Sequence, residues 1–261
     1  MAEFGPTSSE IARWHTPDRT IVLGRDPGGG LELRRPDDRP GTGVGAAVDD
    51  VLRRPLDARH PLRRIVRGLP TDGEAAVAPI IDATAGLGGD AAVAALAAPD
   101  RTVLACERHP LIGAVLEDGV RHARSVGHEP ADRIRVLSLD ARSVLRWFAA
   151  VDPDTGLRRR PAPALVILDP MFPARRKSSA LPPKSMQRLR DLAETPSVED
   201  AERETADLLR DAAASGPARI ALKRPPEAAM PKDVIGKPTF EIETRLVRWG
   251  VWERGGARFE I

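Results

Sequence analysis

The chain has 261 residues, 41% of them hydrophobic and 30% charged, which is enough apolar content for one large domain or one domain with an appended lobe. Its 40 basic and 38 acidic residues nearly cancel, so net charge points to no polyanion partner and local clusters have to be read instead. The one cysteine, Cys106, excludes an internal disulfide and a cysteine-rich zinc site. With no apolar run of signal-peptide or bilayer-spanning type, the sequence reads as a soluble, cytoplasmic protein.

Residues 1–75 carry turn-rich stretches, "LGRDPGGG" and "RRPDDRPGTG", around a candidate strand, "GLELRR", and a short candidate helix, "AAVDDVLRR". They are read as an irregular N-terminal lobe closing on the basic segment "RHPLRRIVRG". From residue 76 to 261 the pattern becomes regular. "VAPIIDA" is a short buried strand, followed by the helix "DAAVAALAA" with Asp90 near its start. The alternation continues with strand "TVLACE", helix "LIGAVLEDGVRHARSV", strand "RIRVLSL" and helix "ARSVLRWFAAV". After the polar loop "DPDTGLRRRPAP" come strand "ALVILD", helix "AERETADLLRDAAAS" and strand "ARIALKR", then "TFEIET" and "LVRWGVW" as closing strands. Such alternation predicts an α/β, Rossmann-like fold with a mostly parallel sheet.

Ligands of such sheets sit beyond the carboxyl ends of the strands. The first four predicted strands end in or run into Asp82, Glu107, Asp140 and Asp169. After Asp82 and Thr84 come Gly86, Gly88 and Gly89. Glycine permits positive φ and close approach, so this turn serves either tight helix–sheet packing or a nucleotide-like ligand. The turn lacks the lysine of a phosphate-binding P-loop. Glu107, roughly 20 residues beyond the glycines, is placed to accept from ribose hydroxyls, as both NAD and S-adenosylmethionine require. Asp140 suits either the adenine amine or the cap of the following helix.

"LDPMFP" favours amine methylation over hydride transfer. An exocyclic amine is a poor nucleophile because its lone pair is delocalised into the ring. Asp169, with the Pro170 carbonyl, can hold its hydrogens and aim the lone pair at a methyl donor. Phe172 can stack on the base or fill a buried proline turn. The histidines, His15, His60, His109, His122 and His128, show no metal-ligand spacing, so no metal is expected.

In this order, "DATAGLGGDA", "ERHPLIGAVLEDG", "LDPMFPARRKSSAL" and "ALKRP" resemble the RsmJ family, whose members use S-adenosylmethionine to methylate the N2 amine of a guanine in small-subunit (16S) ribosomal RNA. The similarity runs from about Leu31 to Glu241. It implies a class I methyltransferase domain, with Gly89 and Asp90 lining the cofactor turn, Glu107 and Arg108 on the ribose side, and Asp169 at the transfer centre. The full expected cofactor set is Asp82, Thr84, Gly86, Gly88, Gly89, Asp90, Glu107, Arg108, Asp140, Ala141 and Asp169; the expected catalytic set is Asp169, Pro170 and Phe172. The chain departs from the family at Gly89, where the family has Arg, and at Asp140–Ala141, where it has Ser-Ser. The segment "RLVRWGVWERGGARFEI" has no counterpart in the resemblance.

The implied partner is ribosomal RNA or the small ribosomal subunit, and basic residues cluster accordingly. Arg63, Arg64 and Arg67 form one group, Arg175, Arg176, Lys177 and Lys184 a second, and Lys223 with Arg224 a third. Each is either a phosphate-contacting patch or a solvated face. Two alternatives stay open: a methyltransferase for another nucleic-acid or protein amine, and an inactive methyltransferase-like RNA-binding protein.

Overall fold

A computed structural model describes residues 2–3, 10–17, 19–172, 184–192 and 197–254. In chain order its elements are β1 (Ala2–Glu3), β2 (Glu10–His15), β3 (Thr20–Arg25), β4 (Leu31–Arg34), α1 (Val48–Leu52), α2 (Pro61–Val66), β5 (Ile80–Asp82), α3 (Gly89–Ala97), β6 (Val103–Cys106) and α4 (Pro110–Ser125). They continue with β7 (Ile134–Leu137), α5 (Ala141–Ala149), β8 (Leu165–Leu168), α6 (Lys184–Leu192), α7 (Val198–Ala214), β9 (Arg219–Arg224), α8 (Lys232–Ile235), β10 (Phe240–Glu243) and β11 (Arg248–Glu253).

The central sheet runs β10-β11-β9-β8-β5-β6-β7. Pairing is parallel from β7 through β6, β5 and β8 to β9, and antiparallel for β11 against both β9 and β10. The expected mostly parallel α/β sheet is therefore present. Short apolar runs suit it because both faces of a parallel sheet are covered, and every residue of β5 and β8 is buried. Alternation along each strand divides the core in two. Ile80, Leu165, Ile167 and Ala221 point to the side covered by α1–α4, while Ile81, Val166, Leu168, Ile220 and Leu222 point to the side of α5, α7 and α8. Full burial of each such aliphatic side chain is worth about 1.5–3 kcal/mol.

The segment without a counterpart in the resemblance contains β11, which carries buried Trp249 into one half of the core and buried Trp252 into the other. Its last residues, 255–261, lie outside the described set.

The N-terminal lobe is more regular than its sequence suggests. "GLELRR" and "AAVDDVLRR" yield β4 and α1 as read, and β2 and β3 join β4 in an antiparallel meander. Ala12, Ile21, Leu23 and Leu33 of this small sheet pack with Leu111, Ile112 and Val115 of α4 and Leu192 of α6. Residues beyond the meander, Val48, Leu52, Leu62 and Ile65, enter the core of the large sheet.

The glycine turn divides its work between residues. Gly88, with φ +86°, caps α3 in the left-handed region, and a Cβ there would lie 2.5 Å from Leu116 Cδ1 and 2.6 Å from Val48 Cγ2. Gly86, with φ +52°, has nothing closer than 3.9 Å to an added Cβ. Gly88 thus serves packing, while an added Cβ at Gly86 would meet only the Thr84 carbonyl and Leu189 Cδ1 at ordinary contact distance. Gly88→Ala is expected to cost at least about 1–3 kcal/mol by overpacking, and Gly86→Ala only about 1 kcal/mol from its left-handed conformation. Urea unfolding of the two variants checks this order.

Candidate active site

β5 pairs with β6 on one side and β8 on the other, so the strand order reverses there and a crevice opens beyond the carboxyl ends. Glu107 follows β6. Its Oε2 accepts from Gly86 N at 3.0 Å and its Oε1 from His109 N at 2.7 Å. These bonds fix the carboxylate against the glycine turn and leave each oxygen with acceptor capacity. Burial raises the Glu107 carboxyl, opposed by those same backbone donors. Behind it, His109 caps α4 through Nδ1, which accepts from Leu111 N at 3.3 Å, and meets Trp14 of β2 edge-on at 4.7 Å. The small sheet thereby braces the residue that braces Glu107.

Asp169 follows β8, and its backbone N–H donates to Thr84 Oγ1 at 2.6 Å. Thr84 thus ties the turn after β8 to the turn after β5. Asp90 lies in the first turn of α3. The residue joining the two is Lys223 of β9, whose Nζ donates to Asp90 Oδ2 at 2.8 Å and lies 2.9 Å from Asp169 Oδ2. Asp82 completes the acidic group. It is 1% exposed, its Oδ1 accepts from Thr84 N at 3.2 Å, and its Oδ2 has no partner among the described residues. Burial, then the Asp90 carboxylate, push Asp82 up to about 8. Burial also pushes the Cys106 thiol up to about 12, so it stays protonated and is no nucleophile.

The remaining expected residues fall in several places. Asp140 caps α5, accepting from Arg142 N at 2.8 Å, and is exposed; Ala141 is the buried first residue of that helix. Gly89 opens α3 in ordinary contact with Ala47. Arg108 reaches Glu204 of α7 at 2.5 Å and stays largely exposed. Pro170 is buried behind Asp169. Phe172 is half-buried, with the Arg224 guanidinium 4.6 Å from its ring centre.

Among the basic groups, Arg63, Arg64 and Arg67 are exposed on and just after α2. Lys184 is exposed and donates to the Thr42 carbonyl, whereas Arg175, Arg176 and Lys177 lie outside the described residues. The third pair is corrected by the structure. Lys223 is drawn among the carboxylates, and Arg224 is 2% exposed, paired with Glu202 and stacked on Phe172. Successive residues of a strand face opposite sides, so the two cannot form one basic patch. That alternation was the signal in the sequence.

Two further features carried no sequence signal. His60 caps α2 close enough to sense the charges of Asp90 and Lys223. Asp191 of α6, fully buried, gathers Arg19 of the loop before β3, Arg35 after β4 at 3.0 Å, and Arg188 at 3.2 Å. This fastens the helix after the Asp169 turn to the small sheet.

The orphaned Asp82 oxygen gives a pH prediction. A carboxyl near 3.9 in the unfolded chain that rises to about 8 on folding binds more protons folded than unfolded between those values. Its contribution to stability is therefore present below about pH 4 and lost as pH rises through about 8. Asp82→Asn removes this slope. The stability of the variant is expected to fall less than the parent's between pH 5 and 8, measured by urea unfolding across that range.

Comparison with known proteins bears on the family and the fold. A family model described as "Putative SAM-dependent methyltransferase" matches residues 49–254. A ribosomal RNA small subunit methyltransferase J from Alkalilimnicola ehrlichii is 39% identical over 174 residues, covering 66% of this chain and 60% of that protein. A protein of the same name from Nitrosococcus oceani is 37% identical over 66% of this chain and 61% of its own. The chain thus spans about three fifths of the length of these two relatives. A third, from Rhodopseudomonas palustris, is 34% identical over 80% of this chain and 84% of its own length. A crystal structure of a SAM-dependent methyltransferase from Neisseria gonorrhoeae shares the fold, with TM-score 0.58 and 24% identity over 87% of this chain and 81% of that one. With the family model matched across the large sheet and the identity extending through a near-complete relative, the chain belongs to the SAM-dependent methyltransferases, in the family of the ribosomal RNA small subunit methyltransferase J proteins.

Proposed function

We propose that the protein transfers a methyl group from S-adenosylmethionine to the exocyclic N2 amine of a guanine in small-subunit ribosomal RNA, acting in the cytoplasm on the RNA or the assembled subunit. The observation that carries the reading is Asp169, held at the switch point of the sheet directly across from the glycine turn and Glu107. The names of the relatives supply the substrate class.

The residues present fit the cofactor. Gly86, without a side chain and with no atom nearer than 3.9 Å to an added Cβ, allows a close approach, Glu107 keeps acceptor capacity for ribose hydroxyls, and Asp82 holds a buried oxygen without a partner among the described residues. Two carboxylates, Asp90 and Asp169, share one ammonium beside the buried Asp82 carboxyl, a charge balance that favours a cationic ligand. When bound, S-adenosylmethionine supplies an electrophilic methyl group. Asp169 accepts hydrogens of the target amine, which turns its lone pair toward that methyl and disperses the charge that grows on nitrogen. Thr84 fixes the backbone of Asp169, and buried Pro170 stiffens the turn. Arg224 covers part of the Phe172 ring, leaving the remainder to stack on the base. The exposed Arg63, Arg64 and Arg67 contact phosphates and set register without choosing sequence.

Single-turnover transfer to small-subunit particles, naked ribosomal RNA and DNA in parallel tests the reading, with the modified nucleotide mapped. Methyl transfer to DNA or protein alone would replace it with another amine. S-adenosylmethionine binding without transfer would make the chain an inactive RNA-binding relative. Asp169→Ala is expected to lower the rate by about 10²–10³, with Asp169→Asn between the two because it keeps a carbonyl acceptor. Joint replacement of Arg63, Arg64 and Arg67 by Ala is expected to flatten the log–log salt dependence of RNA binding by roughly 2–3, while calorimetry shows cofactor affinity nearly unchanged.

A further inference from the structure

Lys223 is the basic residue that the RNA reading absorbs least well. It sits at the carboxyl end of β9 with its side chain 21% exposed, on the opposite face from Arg224. Its Nζ lies 2.8 Å from Asp90 Oδ2 and 2.9 Å from Asp169 Oδ2, and 5.4 Å from the Trp249 ring centre. Every element packed around it contributes something. Asp169 comes from the end of β8, Asp90 from α3, Asp82 from β5, His60 from the cap of α2 and Trp249 from β11.

This geometry leaves little room for other roles. An ammonium already shared between two carboxylates and half-enclosed by Trp249 is a poor phosphate ligand. It is also a poor base. Burial on its own lowers a lysine, but the Asp169 and Asp90 carboxylates outweigh it and hold Lys223 above the ordinary lysine value.

We propose that Lys223 is a positioning residue for methyl transfer: its ammonium ties Asp169 to Asp90 through one oxygen of each and so presents the other oxygen of Asp169 to the target amine. The proposal rests on the reading of Asp169 as the acceptor for that amine. Two consequences follow from charge alone. Burial and the Asp90 carboxylate raise Asp169, and Lys223 opposes them; without the ammonium Asp169 holds a proton to higher pH and loses acceptor capacity. In addition, Lys223 is a resident cation in an acidic site. Its removal frees the Asp90 carboxylate for a cationic cofactor.

The test compares Lys223→Met, Lys223→Gln and Lys223→Arg with the parent and with Asp169→Ala, using the full chain. Single-turnover transfer to whichever substrate the parent methylates is followed across pH. S-adenosylmethionine affinity is measured by calorimetry, the salt slope of RNA binding by titration, and folding by thermal melting. For both neutral variants the expected result is a rate roughly 10²-fold lower at neutral pH. The acid limb of their profile is displaced to higher pH, so the rate recovers in part as pH rises. Cofactor affinity is equal to or tighter than the parent's, and the salt slope is unchanged. Lys223→Arg recovers part of the rate with the parental acid limb. If Lys223→Met melts below the working temperature, Lys223→Gln, which keeps a polar contact, carries the comparison. A neutral variant that transfers at the parental rate, or whose acid limb does not move, overturns the proposal, as does a salt slope reduced by one phosphate contact. If Lys223→Met is neutral while Asp169→Ala is impaired, only the role of Lys223 falls. If Asp169→Ala itself transfers at the parental rate, the reading of Asp169 falls and takes this proposal with it.

Discussion

The pairing of β5 with both β6 and β8 is the constraint on which the rest of the molecule depends. Because β5 is the strand at which the order reverses, the turns after β6 and β8 open away from each other and leave a crevice between them. Glu107 borders it on one side and Asp169 on the other, with the glycine turn in the middle. Ladder register does most of this placement. Ile81 of β5 sits opposite Leu104 of β6 and Val166 of β8, so the three strand ends come level. Two side-chain contacts then lock the turns together, Glu107 to Gly86 N and Thr84 to Asp169 N.

The electrostatics of the crevice follow from that convergence. Acids brought together at strand ends lose solvation, which raises Asp82, Glu107 and Asp169, and the Asp90 carboxylate raises Asp82 and Asp169 further. The chain offsets part of this with one lysine from the next strand and with backbone N–H groups at the glycine turn and the start of α4. Asp82 receives the least compensation, a single backbone donor and no partner for its second oxygen among the described residues. A buried acid left in this state costs stability in the free protein, a common compromise at functional sites.

The small N-terminal sheet acts as scaffold for two parts of the site. Through Trp14 and His109 it supports the segment bearing Glu107. Through the cluster of Arg19, Arg35 and Arg188 around Asp191 it anchors α6, the helix that follows the Asp169 turn. Of the three guanidinium partners of this buried carboxylate, Arg188 is buried with it while Arg19 and Arg35 are about half exposed, so loss of Arg188 costs most. The lobe and the segments flanking the chemistry are therefore mechanically connected.

By itself the sequence determined the strand–helix alternation of the large sheet, the acids at its carboxyl ends and the DPMFP turn. Short continuous apolar runs and glycine–acid junctions are local signals, and a parallel sheet covered on both faces demands them. The runs IARW and TIVL of β2 and β3 flank a turn, but which faces they bury was not legible, because their partners on α4 and α6 are far away in the chain. Nor could spacing divide the labour of the glycines. Only the approach of Leu116 and Val48 shows that Gly88 serves packing, whereas Gly86 meets nothing closer than ordinary contact. The basic residues show the same limit most clearly. Arg63, Arg64 and Arg67 remain on the surface, whereas Lys223 and Arg224, equally basic in the sequence, are taken inward by β9 to opposite faces of the sheet. Charge is a property of the residue, but whether it meets solvent, a carboxylate or an aromatic ring depends on which distant strand lies beside it, and only the tertiary structure decides that.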